Sequence, residues 1–305
     1  MKTEINHQKF VILGAGLSGL CAAYFLQTAG LNDFTLLEKN RTVGGLCRSH
    51  TVDGFTFDYT GHLLHSHNPF VINFIKKILK SNHIEHRRNS AVVMPNAFIP
   101  YPFQFNLSYL PDKIKNECVS GFIKSCNRAR HIKIHKSDKS ELLKKSSESD
   151  KCDNFDNWLK MYFGRGIYKY FMKPYNSKFW RTALNTITTD WFDKYIPQPT
   201  LEDILKSSTS KNYEYSGYNS NFYYPLKNGI DALINGIQKH ISQRALITEC
   251  DIQKIDIRQK KIYSNRGVFC YEYLITTIPL PEFLCLIANS RTQTDSLSRS
   301  LDYVS

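Results

Sequence analysis

The first forty residues alternate between apolar runs and a short glycine-rich stretch. Phe10–Leu13 is a continuous apolar run, as in strands that are buried on both faces of a sheet. Glycines interrupt the chain over Gly14–Gly19, and Leu20–Leu26 is then typical of a helix rich in small and apolar residues. A second apolar run, Phe34–Leu37, comes next. The pattern predicts a strand–helix–strand unit at the start of the chain.

Further along, the chain continues with elements of both kinds. Ile230–Ile241 carries apolar residues at helical spacing, and Phe70–Leu79 is an amphipathic helix. Two hairpins are expected, one at Thr51–Asp58 around an Asp-Gly turn and one at Ala91–Ile99. The remaining predicted elements are two aromatic-rich helical stretches, Phe155–Phe163 and Ile167–Trp180, and three strands, Ala245–Thr248, Ile252–Ile257 and Tyr273–Ile278.

This order of elements predicts an α/β protein whose nucleotide-binding domain is discontinuous, with residues 1–86 and 222–305 as its two parts. A mainly helical substrate domain, residues 87–221, is inserted between them. Residues 124–151 are rich in Lys, Ser and Glu and contain few large apolar side chains, so we expect a mobile polar insertion there. The insertion lacks aromatic residues on which bases stack, and we therefore expect no nucleic-acid partner.

The glycine-rich stretch has the spacing of a dinucleotide-binding turn. In such a turn Gly14 makes the tight bend, Gly16 lets a pyrophosphate approach the backbone, and Gly19 lets helix and strand pack closely. The phosphates lie at the N-terminus of the helix, where Ser18 is placed. Glu38 ends the second apolar run at the spacing from which a carboxylate binds ribose hydroxyls. An acid at that point disfavours a 2′-phosphate, so NADP is not expected.

Composition narrows the class of protein. With 42% hydrophobic residues and a mean hydropathy of −0.38, the 305-residue chain is typical of a soluble globular protein, and no apolar run is long enough to span a membrane. Its net charge of +13 suits an anionic ligand. The eight cysteines form no CxxC pair and no metal-binding spacing, so we expect reduced thiols, a cytoplasmic location and no metal site.

A second group of motifs resembles one group of flavoproteins. Glu38 followed by Gly44-Gly45-Leu46 is similar to the arrangement in glutathione-reductase-like FAD enzymes, in which the second glycine pair packs against the cofactor. Four further segments resemble UDP-galactopyranose mutase and its amine-oxidase or protoporphyrinogen-oxidase-like relatives, and the resemblance extends over nearly the whole chain. These segments are Phe57-Asp58-Tyr59-Thr60-Gly61-His62, Ile99-Pro100-Tyr101-Pro102-Phe103-Gln104, Phe171-Met172-Lys173-Pro174-Tyr175-Asn176 through Trp180, and Gly217-Tyr218-Asn219-Ser220-Asn221-Phe222.

The resemblance implies a Rossmann-like FAD-binding domain, FAD as the cofactor and a nucleotide sugar as the substrate, in cell-surface polysaccharide biosynthesis. In the mutases, reduced FAD takes part in converting UDP-galactose from the pyranose to the furanose form without net redox change. The implied catalytic residues are His62, in the loop that flanks the flavin ring, and Arg88, near the flavin edge. The implied cofactor-binding residues are Gly14, Gly16, Ser18, Gly19, Glu38, Lys39, Gly45, Leu46, Gly61, His62, Ile252 and Thr277, and the implied substrate-binding residues are Tyr101, Gln104, Asn176, Trp180, Lys194 and Asn219.

Several of these residues also have a purely structural explanation. His62 can hydrogen-bond to backbone, although a histidine beside a flavin can also respond to its redox charge by protonating. Tyr101 lies between two prolines, and a rigid turn there would be enough to explain its place in the sequence. Trp180 belongs to a residue type that more often lies in a core than under a uracil ring. Asn176 and Asn219 are of a type that caps helices and forms turns.

Two departures from the mutase pattern leave the function open. At the position of an arginine that grips the diphosphate, the chain has Tyr195 with Lys194 adjacent, and lysine lacks the bidentate fork. The mutases also continue well past the strand that ends near Thr277 with a segment that covers the flavin, whereas this chain stops at Ser305. The leading hypothesis is a mutase-like enzyme. The alternatives are an FAD-dependent oxidoreductase of the amine-oxidase type and a truncated, non-catalytic remnant.

Overall fold

A computed structural model describes residues 5–95, 97–134, 152–189, 191, 195–211 and 220–287. Its contacts divide the chain into two compact units. We call Met1–His86 with Asn221–Ser305 the sheet unit, and Arg87–Ser220 the helical unit. The sheet unit contains two hydrophobic core clusters and the helical unit contains one.

The described residues contain both strands and helices. The strands are β1 (Ile5–Leu13), β2 (Phe34–Leu37), β3 (Ser49–Val52), β4 (Phe55–Asp58), β5 (Ile84–Arg87), β6 (Ala91–Met94), β7 (Ala97–Pro100), β8 (Asn221–Tyr224), β9 (Leu246–Ile247), β10 (Ile252–Asp256), β11 (Lys261–Ser264) and β12 (Gly267–Thr276). The α-helices are α1 (Leu17–Thr28), α2 (Pro69–Leu79), α3 (Asp112–Ile134), α4 (Phe155–Ile167), α5 (Lys173–Trp180), α6 (Leu201–Thr209), α7 (Asp231–Gln238) and α8 (Leu280–Leu286).

The largest sheet has six strands in the order β10–β11–β12–β1–β2–β9. Strands β12, β1, β2 and β9 pair in parallel, and β10, β11 and β12 pair in an antiparallel manner. The apolar run of β1 lies in the middle of this sheet, and Val11, Ile12 and Leu13 are fully buried, as expected for a strand that is covered on both faces. The predicted strand at 273–278 is the second half of β12, and β11 was not predicted.

Helices α1, α2 and α7 supply one core of the sheet unit. Leu20, Ile78 and Ile234 are buried there together with Ile12 of β1. A second core, on residues such as Phe269 of β12, lies with Val11 and Leu13 of the same central strand. Because successive side chains of β1 enter different clusters, the parallel strands are buried on both sides. None of the helices in the described ranges combines the length and the apolarity that crossing a bilayer requires.

The helical unit has a core rich in aromatic residues. Phe103, Phe155 and Phe163 are fully buried in it, and β6 and β7 form a hairpin. A five-residue π-helical turn, Tyr168–Met172, joins α4 to α5, so that the predicted single helix at 167–180 contains one wide turn. Wide turns of this kind place one additional residue in a helix.

Residues 124–134 are helical. They belonged to the predicted mobile polar insertion at 124–151, but they form the last part of α3. The first half of this helix is anchored, since Cys118 and Phe122 are buried against residues of α4. Lys and Arg are good helix formers, so a polar sequence can extend a helix that is already anchored. Residues 135–151 lie outside the described residues.

Candidate functional site

The turn after β1 is held in a conformation that depends on glycine. Gly14 has a φ of +89°, and its N–H donates to the Leu37 carbonyl at 2.8 Å. A Cβ at Gly19 would lie 1.8 Å from the Gly14 carbonyl oxygen, which no packing adjustment accommodates. Glycine at these two positions therefore lets α1 begin directly against the turn.

The N-terminus of α1 is open to a ligand. Gly16 is its N-cap residue, no side chain of the described part of the chain caps the helix there, and the first turn, which contains Ser18, carries no acidic residue. The first N–H groups of a helix point out of its N-terminus and favour a negative charge. This end of α1 thus has the properties of a phosphate site.

The second glycine pair packs against the first glycine turn. The N–H of Gly44 donates to the Ala15 carbonyl at 2.8 Å, and a Cβ at Gly45 would lie 3.2 Å from the Gly16 Cα. Leu46, the next residue, is 71% exposed. Two backbone segments without side chains therefore meet at the end of α1, where a Cβ would narrow the space between them.

Glu38 binds the first glycine turn from the end of β2. The residue is 7% exposed. Its Oε2 accepts from the Ala15 N–H at 2.8 Å, and its Oε1 accepts from the backbone N–H and the side-chain amide of Asn40 at 2.9 and 2.8 Å. Each carboxylate oxygen can accept more than one hydrogen bond, so capacity remains for ribose hydroxyls. Uncapped helix N–H groups, a backbone cradle and a carboxylate at the end of β2 together fit an adenine dinucleotide.

The other predicted cofactor-binding residues have different surroundings. The Thr277 hydroxyl lies 2.8 Å from the Leu13 carbonyl and 3.0 Å from the Gly14 carbonyl, so it supports the turn from behind. Ile252 begins the edge strand β10 and packs on the second core of the sheet unit. Lys39 is largely exposed and lies 3.8 Å from Glu282. Within 4 Å of a Cβ placed on Gly61, the described residues offer no contact.

His62 lies in the loop after β4, beside a buried carboxylate. Its Nδ1 is 3.6 Å from Asp58 Oδ2, and its Nε2 is 3.2 Å from the Thr60 hydroxyl. Burial opposes ionisation of Asp58, but hydrogen bonds from Ser49 and Tyr224 outweigh it and hold the pKa of this carboxyl below its usual value. Burial and the bond to Asp58 raise the pKa of the Tyr224 hydroxyl. Asp58 is therefore an anion at neutral pH.

A separate cavity of about 280 Å³ lies in the helical unit. All four predicted substrate-binding residues that the structure describes line it. They are Tyr101, Gln104, Asn176 and Trp180, and the others that line it are Phe171, Met172, Tyr175, Phe179, Trp191, Tyr195, Ile196 and Pro197. Lys194 and Asn219, the two remaining predicted substrate-binding residues, lie outside the described residues.

Gln104 is the polar residue of this cavity with an unused acceptor. The side chain is 1% exposed, and its Nε2 donates to the Pro197 carbonyl at 2.6 Å. Its Oε1 is buried and has no hydrogen-bond partner among the described residues. An unsatisfied buried acceptor is costly, so a donor on a ligand or a water is expected there. Asn176, also buried, donates instead to the Met172 carbonyl at 2.7 Å.

Stacked rings form the apolar part of the cavity. Phe171 stacks on Tyr175 with ring centroids 5.1 Å apart, and Tyr175 stacks on Phe179 at 6.0 Å. Trp180 meets Trp191 edge to face at 4.9 Å. Offset and edge-to-face pairs stabilise such a cluster beyond the area they bury. The cavity therefore offers flat apolar surfaces of the kind on which a planar ring can lie.

Arg88 approaches the cavity through Tyr101. Its guanidinium lies over the Tyr101 ring, 4.3 Å from the centroid, and its Nε donates to the Ser90 hydroxyl at 3.0 Å. A cation in this position is attracted to the face of the ring. Its predicted place near a flavin edge stays a prediction.

Two residues of the sheet unit, Asp58 and Arg48, have structural roles that the sequence did not predict. Asp58 is within a quoted motif, and its carboxylate proves to be the acceptor for three elements. Arg48 donates to the Gly45 carbonyl at 2.8 Å and lies over the Tyr59 ring, so it supports the second glycine pair. In the sequence, only position marks these residues: Asp58 ends the predicted hairpin, and Arg48 follows the second glycine pair by three residues.

Known proteins resemble this chain at three levels. Residues 12–78 match the family model of an NAD(P)-binding Rossmann-like domain. UDP-galactopyranose mutase of Mycoplasma genitalium is 27% identical over 249 residues, which are 76% of this chain and 55% of that protein. A 53-residue part of the chain, 17% of its length, is 51% identical to a 4,4′-diapolycopene oxygenase of Methylomonas sp., of which it covers 10%.

Solved structures extend the likeness to nearly the whole chain. A crystal structure of reduced UDP-galactopyranose mutase matches with a TM-score of 0.84 at 27% identity, over 97% of this chain and 62% of that chain. A putrescine oxidase matches with a TM-score of 0.61 at 13% identity, over 97% and 64%, and shares the fold. The chain spans between about half and two thirds of the length of these mutases and of this oxidase.

These matches confirm the predicted α/β fold with a Rossmann-like domain and an inserted, mainly helical part. The family model begins at the end of β1 and includes the glycine turn, α1 and β2. The chain is thus similar in sequence and in fold to the flavoprotein UDP-galactopyranose mutase, and it shares its fold with a putrescine oxidase.

Proposed function

We propose that this chain is an FAD-dependent enzyme that acts on a nucleotide sugar in the manner of UDP-galactopyranose mutase. The observation that carries the proposal is the cavity of the helical unit, which Tyr101, Gln104, Asn176 and Trp180 line together. Their sequence positions extend over about eighty residues, so a common cavity is not a consequence of proximity along the chain.

Residues 14–19 and 44–45, which together with Glu38 we call the glycine cradle, would hold the FAD. The N-terminus of α1 would bind its pyrophosphate and Glu38 its adenosine ribose. Bound FAD supplies a ring that acts as a nucleophile when reduced and accepts electrons when oxidised. The backbone of residues 14–19 and 44–45 would fix the position of the cofactor, since neither segment carries a bulky side chain at its points of close contact.

In the cavity, the aromatic rings and Gln104 would divide the work of recognition. Trp180 and its neighbours would stack on the base, and Gln104 Oε1 would accept a hydrogen bond from it. The eight cysteines, none of which is in a disulfide, agree with a cytoplasmic reaction, which we place in the synthesis of a cell-surface polysaccharide.

The acceptor on Gln104 gives the sharpest test. We expect the purified chain with FAD to bind UDP, detected through the flavin absorbance, and to bind N3-methyl-UDP about 5-fold to 100-fold more weakly, because the methyl group removes a ring N–H donor. A Gln104→Met variant, which lacks the acceptor, should bind the two ligands equally. Equal binding of both ligands by the unchanged chain would contradict the role of Gln104, and no binding of either would contradict the proposed substrate class.

A second function, oxidation of an amine, is favoured by the charge of the cavity. Among the described residues that line it, none is cationic, whereas a diphosphate needs positive charge. Neutral aromatic walls also suit an organic cation, which they attract through their faces. Anaerobic reduction of the bound flavin by a diamine, without any response to UDP, would select this function over the first.

A further inference from the structure

The carboxylate of Asp58 is the meeting point of three elements of the sheet unit. Its Oδ1 accepts from the Ser49 hydroxyl at 2.7 Å and from the Ile230 N–H, just before α7, at 3.1 Å. Its Oδ2 accepts from the Tyr224 hydroxyl at 2.7 Å, at the end of β8. The side chain is 8% exposed, so these protein donors replace most of its hydration.

His62 faces the same carboxylate with one ring nitrogen. Nδ1 is buried and, within the described residues, has no hydrogen-bond partner at full bonding distance; Asp58 Oδ2, 3.6 Å away, is the charged atom opposite it. Nε2 lies on the other side of the ring, 3.2 Å from the Thr60 hydroxyl, which can donate or accept. The two nitrogens therefore have unequal surroundings.

An ionised carboxylate only accepts hydrogen bonds, and a neutral imidazole carries its proton on one nitrogen. If the proton were on Nε2, the lone pair of Nδ1 would point at a buried anion. If it is on Nδ1, the N–H points at that anion and the contact is attractive. The second arrangement leaves the lone pair of Nε2 available on the outer side of the ring.

We propose that Asp58 is a positioning residue that fixes His62 as the Nδ1–H tautomer, so that His62 offers a hydrogen-bond acceptor, and not a donor, through Nε2. The assignment of the tautomer rests on the geometry of Asp58, His62 and Thr60 alone. Its consequence for a bound flavin rests on the proposed function. A group on the cofactor or substrate that meets Nε2 must then be an N–H or an O–H.

Asparagine at position 58 has almost the same shape as aspartate, but it can present a hydrogen-bond donor, and not an acceptor, to His62. The amide oxygen can take the place of Oδ1 and keep the bonds from Ser49 and Ile230. The amide nitrogen then takes the place of Oδ2, and it is a donor, which the Tyr224 hydroxyl oxygen can accept. Facing a donor, His62 is expected to carry its proton on Nε2 and to accept through Nδ1.

The experiment is ¹⁵N NMR of histidine-labelled chain at mildly alkaline pH, where the ring nitrogens distinguish the two neutral tautomers. His62→Gln identifies the signals. We expect Nδ1–H to exceed Nε2–H by at least about tenfold in the unchanged chain, and Asp58→Asn to reverse the preference. An Nε2–H tautomer in the unchanged chain, or an unaltered tautomer in Asp58→Asn, would overturn the proposal.

Tyr224→Phe is the matched control, because it removes a donor from the same Oδ2 and leaves the charge in place. If Asp58 acts through its charge on His62, this variant keeps the Nδ1–H tautomer. If Asp58 only holds the three elements together, both variants loosen the loop and change the His62 signals alike, and the proposal fails. Thermal unfolding of each variant establishes that it is folded, and the NMR result does not depend on whether UDP binds.

Discussion

The cradle of the sheet unit and the cavity of the helical unit are built in opposite ways. The cradle is mostly backbone: residues 14–19 and 44–45 contribute peptide groups, with glycine at their points of close contact, and Glu38 accepts from the Ala15 N–H. The cavity is mostly side chains, drawn from positions 101 to 197 and held by ring packing. A backbone site depends on the spacing of a few glycines, whereas a side-chain site depends on how distant segments pack.

The difference predicts two kinds of sensitivity to substitution. Adding one carbon to a glycine of the cradle should lower stability and FAD binding strongly, because the contacts there are with backbone atoms, which cannot move aside without opening the turn. Changing one ring of the cavity should be milder, because neighbouring aromatic side chains can shift and the cavity is open to ligands of related shape.

The largest effect is expected from Gly19→Ala. The new Cβ would lie 1.8 Å from the Gly14 carbonyl oxygen, so α1 must separate from the turn. We expect FAD retention on gel filtration to be lost and the free energy of unfolding to fall by about 3 kcal/mol. Gly61→Ala is the matched control, since a Cβ there meets no described residue within 4 Å, and it should change stability by less than about 0.5 kcal/mol. If the two variants lost stability equally, the close contact between residue 19 and the Gly14 carbonyl would not explain the loss.

Glu38→Ala should have the next largest effect. The change leaves the Ala15 N–H without its buried acceptor and removes a ligand of the ribose. We expect FAD binding to weaken by about 1–3 kcal/mol, measured by titration of the cofactor-free chain. Asp33→Ala, which removes an exposed carboxylate at the opposite end of β2, should stay within about 1 kcal/mol of the unchanged chain. Unchanged FAD affinity in Glu38→Ala would place Glu38 outside the cofactor site.

Trp180→Leu tests the cavity and the independence of the two sites. Leucine keeps apolar volume but removes the edge-to-face pair with Trp191 and a flat surface for the base. We expect UDP binding to weaken by about 0.5–1.5 kcal/mol, with FAD affinity as in the unchanged chain. An equal loss of both affinities would mean that the cradle and the cavity do not act separately.

The smallest effect concerns pH. The folded-state pKa of Asp58 is depressed, because the hydrogen bonds from Ser49 and Tyr224 outweigh burial. The stability that it contributes is therefore present above the unfolded-state pKa of about 3.9 and is lost as pH falls through the lower folded-state value. The difference in melting temperature between the unchanged chain and Asp58→Asn should be constant near neutral pH and shrink in acid. A difference in melting temperature that grows in acid would contradict a depressed folded-state pKa for Asp58.

The sequence predicts the cradle better than the cavity for a physical reason. Gly14, Gly19 and Glu38 interact through elements that follow one another directly, so their spacing carries the geometry. Strand β11 was missed because Ile262 is its one fully buried side chain, so the strand has no apolar run like that of β2. No pattern along the chain predicts that the Gln104 Nε2 donates to the Pro197 carbonyl, 93 residues away. Nor does any pattern predict that its Oε1 has no hydrogen-bond partner among the described residues.

The cavity residues themselves were predicted from a resemblance, and the packing that unites them was not. Tyr101 and Trp180 belong to segments separated by the whole of α3 and α4. The network on Asp58 was missed for the same reason, since its donors lie at residues 49, 224 and 230. Contacts of this range are decided by tertiary structure, to which a local pattern has no access.

The wide turn at Tyr168–Met172 has a consequence for how the length of this chain can vary. It places one residue more than a regular helix needs before α5, which carries Asn176 and Trp180 to the cavity. Deleting the exposed Lys169 could let the turn close to ordinary α-helix and leave α5 facing as it does. Deleting a residue within α5 before Asn176 would instead rotate the remainder of that helix by about 100° and carry both side chains off the cavity wall. Among natural relatives, gains and losses of single residues along this helix should therefore collect at that one turn.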